Sequence, residues 1–239
     1  MKAKNALLLL VLGLVSVWPP PVVRVDAQTQ EPPRVKIPEP GVPQIMTMEG
    51  KFVRAAYNNE GYVIIGYQLV NRSVGEDWML LEFGVTVLDN TPDYELKRDA
   101  LSLETPDGKT IPLPTINEHR EGNTTALQNR EKVQRDSINY FPPSASRACA
   151  LTFFPDLTSR ALPVDEIELS NQRACLGRLY FKVPDGITYG QHWLNVKFEK
   201  SLVRVPFRIL TKDEEKLMDK HYKSISKQVK DAFKPKKTS

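Results

Sequence analysis

Through most of its length this chain sends successive side chains to opposite faces. Val63, Ile65, Tyr67 and Leu69 fall on one side of an extended segment, and Ile64, Gly66, Gln68 and Val70 on the other. Met79, Leu81, Phe83, Val85 and Val87 repeat the pattern against Glu82, Gly84 and Thr86. A period of two predicts strands with one face buried. The same rhythm returns at Leu179, Phe181 and Val183, at Leu194, Val196 and Phe198, and at Val203, Val205, Phe207 and Ile209. Only Glu199-Lys200-Ser201 separates the last two, which predicts a hairpin. Pro206 has no N–H to give a ladder, so its strand belongs at a sheet edge or at a bulge. Pro106-Asp107-Gly108 and Pro184-Asp185-Gly186 supply turns, because proline presets φ and glycine accepts φ > 0. Shorter strands are expected near 52–57, 151–154 and 167–169, for a total of nine or ten. Many short strands between turn signals point to a sandwich or a barrel.

Two segments break this rhythm. Thr124 to Gln134 lacks alternation and is rich in helix formers, with Asn123 as a candidate N-cap. It reads as a short inserted helix, either a plain surface insertion or a functional excursion. Near the end, Thr211-Lys-Asp-Glu214 has the form of a capping box. Leu217, His221, Ile225, Val229 and Phe233 then recur every four residues, widened by Met218 and Tyr222. This predicts an amphipathic helix of about 20 residues. Its stripe suits three roles: packing on the β-body, contact with a partner, or weak contact with an anionic membrane surface through its lysines.

The N-terminus has another character. Lys2 and Lys4 precede an apolar run from Ala6 to Trp18, and Val25-Asp26-Ala27 offers a cleavage site. The run falls short of the about 20 residues that span a bilayer, so residues 1–27 read as a signal peptide, cleaved or retained as an anchor. Export to the periplasm or the extracellular space follows. Residues 28–45 carry Pro32, Pro33, Pro38, Pro40 and Pro43 and read as a linker, either a semi-rigid stalk or a loose N-terminus. The β-domain is assigned to 46–210 and the last helix to 211–235.

Composition is that of a globular chain, 41% hydrophobic and 26% charged. The net charge of +4 resides in 212–239, where nine lysines face five acids; the remainder balances at 24 of each sign. A nucleic-acid partner needs a broader basic face and is not expected. Cys149 and Cys175 allow one pairing, and in an oxidising compartment a disulfide is expected; two buried thiols are the alternative.

Chemistry-bearing motifs are scarce. There are three histidines. His119 falls in a charged stretch read as a loop. His192 is in phase with Leu194 and reads as a locally bonded histidine at the core edge. His221 lies on the helix stripe. No two of them have metal-ligand spacing. The elbow Gly-x-Ser-x-Gly does not occur, nor does a glycine-rich phosphate loop. Asp107 and Asp185 read as turn residues, and Asp89 to Asp93 resembles a calcium loop in composition alone. Asn71-Arg-Ser73 and Asn123-Thr-Thr125 match the glycosylation pattern. Trp78, Trp193, Tyr94, Tyr140, Phe141 and Tyr189 would form a sugar-stacking platform if they shared a face; core packing is the simpler reading. No catalytic residue, cofactor or metal is assigned.

Gly177-Arg-Leu-Tyr-Phe-Lys-Val-Pro-Asp-Gly186 resembles the closing strands of exported bacterial immunoglobulin-like domains of unknown function, and Leu101-Ser-Leu-Glu-Thr-Pro-Asp-Gly108 resembles their earlier hairpin. The resemblance covers Lys51 to Leu210 and implies an immunoglobulin-like β-sandwich without transferring an active site. The long stretch 114–175 departs from a compact sandwich. The expected function is a non-enzymatic exported envelope or periplasmic module that binds a protein or glycan partner. The alternative is a secreted hydrolase or carbohydrate-active domain whose site is assembled only in space.

Overall fold

A computed structural model describes residues 31–156 and 160–233. Residues 1–27, expected to form a signal peptide, lie outside the described residues. The chain is mainly β. In order it forms β1 (Ile45–Gly50), β2 (Val53–Tyr57), β3 (Gly61–Gly66), β4 (Trp78–Val87), β5 (Tyr94–Lys97), β6 (Leu101–Glu104) and β7 (Thr110–Pro112). Two helices follow, α1 (Ile116–Glu121) and α2 (Thr125–Val133), then β8 (Arg147–Leu151), β9 (Glu166–Leu169), β10 (Arg173–Lys182), β11 (Gly190–Lys197), β12 (Leu202–Ile209) and α3 (Lys212–Ala232). The strands form a six-stranded sheet β1-β2-β3-β4-β10-β8, a four-stranded sheet β12-β11-β6-β7, and the pair β5-β9.

The two larger sheets share one core. Val63, Ile65, Leu81, Phe83 and Phe181 of the first join Leu103, Leu194, Val205 and Phe207 of the second in a single buried cluster. Each such side chain contributes about 1.5–3 kcal/mol by leaving water. Gly61 marks a close approach within it: a Cβ there would fall 2.1 Å from the Phe198 ring. The β11–β12 hairpin forms as expected, and Pro206 lies on the outermost strand of its sheet, where no ladder partner needs its missing N–H. The turns at Asp107 and Asp185 also form, with Gly108 and Gly186 at positive φ.

Several expectations are corrected. β3 and β4 are buried on both faces rather than one. The excursion after α2 lays Ile138 and Phe141 over the outer face, against Val53, Ala55, Tyr62 and Ile64. The Tyr62 hydroxyl donates to the Tyr140 carbonyl at 2.5 Å. Asn123 is not an N-cap: it sits at φ 46°, and α2 starts from Thr124. The preceding helix α1 is capped by Thr115 and Glu118, so His119 lies on a helix and not in a loop. Strands β1 and β5 were not foreseen, and β8 ends at Leu151 instead of beginning there.

The described part of the proline-rich linker is neither a spacer nor a loose end. It docks on the body as a strap. The Arg204 guanidinium donates to the Pro40 carbonyl at 2.8 Å. The Gln44 carboxamide donates to the Arg204 carbonyl at 2.6 Å and accepts from the Arg204 N–H at 2.8 Å, standing in for a ladder partner on β12. Ile37 packs on the shared core. Cys149 and Cys175 are directly opposite one another on the parallel pair β8–β10 and are disulfide-bonded, with Cα atoms 4.2 Å apart. Among the described residues there is no free cysteine.

Candidate binding cavity beneath the C-terminal helix

Helix α3 starts from the expected capping box. The Thr211 hydroxyl accepts from the Glu214 N–H at 3.3 Å, and the Glu214 carboxylate accepts from the Thr211 N–H at 2.9 Å. Asp213, Glu214 and Glu215 in the first turn favour the helix dipole. Burial works against the charged form of Glu214, but the Thr211 N–H and the Arg208 guanidinium outweigh it and hold the carboxyl below its ordinary range. Inside the helix, His221 leaves helical geometry at φ −121° and ψ 15°, so α3 is two segments joined at a kink.

Side chains from the body fasten α3 down. Lys51, in the turn between β1 and β2, reaches Glu215 at 2.8 Å and Asp219 at 2.7 Å. The Tyr222 hydroxyl donates to the Met48 carbonyl at 3.4 Å. Gln228 accepts from the Val35 N–H and donates to the Pro33 carbonyl, binding the helix to the strap. Of the stripe read from the sequence, Ile225 is buried, Val229, His221 and Phe233 are half-buried, and Leu217 is 44% exposed. Met218 and Phe233 pack against the shared core.

Between α3, the strap and the strand edges lies a partly open cavity of about 200 Å³. Val35 and Ile37 of the strap, Met46 and Met48 of β1, Phe207 and Leu210 near the end of β12, and Leu217, Met218, Ile225 and Val229 of α3 line it. Arg54 of β2 also lines it. That side chain is 9% exposed and carries a guanidinium 5.3 Å above the Tyr67 ring. Its hydrogen bonds all leave from Nη1, to the carbonyls of Gly50, Lys51 and Val53. Arg208 at the rim is paired with Glu214 at 2.6 Å.

Titratable groups elsewhere are held by the fold. Glu82, on the outer face of β4, accepts from the Asp136 N–H at 2.8 Å, and Asp136 accepts from the Gln68 N–H at 2.7 Å. Burial pushes Glu82 up to about 7 and Asp136 up to about 6. Glu131 of α2 is buried beside Arg178 at 2.7 Å and Arg135 at 3.8 Å. Glu82, Glu131 and Asp156 line a second cavity of about 240 Å³. No sequence signal marked these acids except a charge in phase with Gly84 and Thr86. His119 is buried between Phe154 and Tyr180, its Nε2 3.2 Å from the Thr124 hydroxyl; burial lowers its pKa to about 4, and Arg98 and Arg120 add to the effect. His192 is fully buried, stacked on Phe207, with Nδ1 3.1 Å from the Gly190 carbonyl, a locally bonded histidine as expected. Among the described residues no carboxylate lies within 4 Å of either ring's nitrogens.

The other candidates are dispersed. Trp78 packs on His119, Trp193 under Arg204, Tyr94 on Phe198 and Phe141 on Tyr62, while Tyr140 and Tyr189 are exposed. Asn71 is buried and its Oδ1 accepts from the Leu210 N–H at 2.6 Å, which removes it as a glycosylation acceptor in the folded protein. Among the described residues no cluster of three or more His, Cys, Asp or Glu is placed to hold a metal, and no helix is long and apolar enough to cross a membrane. No protein family, curated protein or solved structure matches this chain.

Proposed function

We propose that this chain is a non-enzymatic, exported envelope or periplasmic module, built as an immunoglobulin-like β-sandwich, that holds an apolar ligand beneath α3. The observation that carries the reading is the cavity between the strap, β1, β12 and α3, walled by apolar side chains of which three are methionines. Methionine is unbranched and polarizable, so such walls adapt to their contents. Export is supported by the leader-like N-terminus and by the Cys149–Cys175 bridge. This reading departs from the expectation of a protein or glycan partner and takes a small apolar molecule instead, since the aromatics that would stack on sugars are dispersed. A hydrolase would draw on Glu82 and Glu131, but both are engaged in fastening 131–138 to the sheet.

Toluene, a neutral probe, tests the reading in the full chain. It is expected to shift the methyl resonances of Met46, Met48 and Met218 and to raise the midpoint of thermal unfolding. Ile225→Trp, which fills the cavity, is expected to abolish both effects. Unmoved methionine signals in the unmodified protein overturn the proposal.

A further inference from the structure

The cavity has one feature that an apolar ligand leaves unexplained. Arg54 is 9% exposed, and among the described residues no Asp or Glu lies within 4 Å of its guanidinium. Removing a cation from water without a counter-charge is costly, and proteins normally supply a partner. Arg54 has three backbone carbonyls, all on Nη1, and the face of Tyr67. Among the described residues its Nε and Nη2 hydrogens have no protein acceptor. Asp136 feels its field, but that carboxylate accepts from the Gln68 N–H on the side of the excursion. The other charged groups on the cavity wall differ from it: Arg208 and Glu214 pair with each other at 2.6 Å, and Lys36 of the strap is exposed to solvent.

We propose that the cavity is a binding site for a monocarboxylate with an apolar tail of medium length, its carboxylate pairing with the Arg54 guanidinium and its tail lying among Met46, Met48, Leu210, Met218, Ile225 and Val229. This rests on the reading of the cavity as a ligand site and adds the chemistry of the headgroup. A guanidinium offers a planar fork of donors that matches a carboxylate in two parallel hydrogen bonds, and such pairs are stronger than neutral ones. Arg54 is positioned for this before the ligand arrives, because Nη1 is held by the carbonyls of Gly50, Lys51 and Val53 and the guanidinium lies 5.3 Å from the centre of the Tyr67 ring. Little side-chain entropy is then lost on binding. The volume limits the tail. An apolar cavity of about 150 Å³ accommodates benzene, so about 200 Å³ suits a chain of medium length better than a long one. The kink at His221 separates the segment of α3 tied to Lys51 from the segment tied to the strap by Gln228, and so places a joint beside the cavity.

The test compares octanoate, 1-octanol and octylamine on the full chain by calorimetry, with the methionine methyl signals as a second readout. Octanoate is expected to bind at least tenfold more tightly than octanol, and octylamine more weakly than either. Arg54→Met, which keeps an unbranched side chain of similar length, is expected to erase the preference while leaving octanol binding in place. Equal affinity of the unmodified protein for octanoate and octanol overturns the assignment of Arg54 but leaves the apolar site standing. Failure of all three to bind overturns both. The comparison within the unmodified protein decides the question even if Arg54→Met does not fold.

Discussion

Glu82 and His119 show how burial, the largest cause at both, gives two residues opposite pH behaviour. Glu82 titrates near 7 when folded and near 4.5 otherwise. Between these values the folded chain binds a proton that the unfolded chain has released, so stability falls as pH rises through this window. Two and a half pKa units correspond to about 3–4 kcal/mol at most. Asp136 acts in the same direction between 3.8 and about 6. His119, with a folded pKa of about 4 against 6.5, acts in reverse: its contribution is present above 6.5 and is lost as pH falls toward 4. These terms partly cancel below 6.5, leaving Glu82 to dominate just above. Glu82→Gln is expected to flatten the decline of stability between pH 6.5 and 7.5, as read by urea unfolding at a series of pH values. An unchanged slope would mean that Glu82 does not carry the proton. At this scale the sequence was legible where chemistry is local. The glycines and aspartates of the turns and the bonding of His192 could all be read. Glu82, Arg54 and His119 could not, because what surrounds them comes from distant parts of the chain, such as Asp136 for Glu82, Phe154 and Tyr180 for His119, and Met218 and Ile225 in the cavity that Arg54 lines.

Among the elements, the strands that alternate cleanly were legible and the covering of their outer faces was not. Glu82, Gly84 and Thr86 have the polarity of a solvated face, yet Phe141 and Ile64 lie within 3 Å of where a Gly84 Cβ would be. A period of two reports which residues share a face; it does not report what lands on that face from elsewhere. The strap has the same history. Proline-rich composition fits a free spacer and a docked segment equally, and contacts such as the Gln44–Arg204 pairing and the bonds of Gln228 to Val35 and Pro33 distinguish them. Helix α1 was missed although Thr115 and Glu118 have the same spacing as Thr211 and Glu214, because six residues among charges give no apolar stripe. The disulfide ties edge strand β8 to β10 across a sequence separation of 26 residues. Closing a loop of that length contributes roughly 3–4 kcal/mol in the chain-entropy model. The double variant Cys149→Ala, Cys175→Ala is expected to lower stability by an amount of that order. Hydrogen exchange should show faster opening of Arg147–Leu151 than of the central strand β4. Equal protection of β8 in both proteins would show that the bridge does not hold that edge.

For the molecule as a whole, the last helix belongs to the body. Its apolar stripe is divided between the shared core, through Met218 and Phe233, and the cavity wall, through Ile225 and Val229. Deleting residues 212–239 is expected to expose Met46, Met48 and Leu210, to lower the unfolding midpoint and to promote self-association visible by light scattering. A truncated chain that stays monomeric with an unchanged midpoint would return α3 to the role of a free contact arm. The deletion also removes the entire net charge of +4, so any loss of adsorption to anionic vesicles must be compared with a variant that neutralises lysines facing away from the body, such as Lys223 and Lys227.

The pairing of Gln44 with Arg204 has a consequence for crowded solutions. Atoms two residues apart on a strand project the same way, so the backbone of residue 206 faces outward as that of 204 does, and at 206 a proline offers no hydrogen to a newcomer. One borrowed amide and one missing hydrogen thus make the β12 rim of the four-stranded sheet a poor template for another chain. A molecule that shed the stretch before β1 would bare the Arg204 amide and carbonyl again, and sedimentation is expected to show it pairing with its neighbours along that edge.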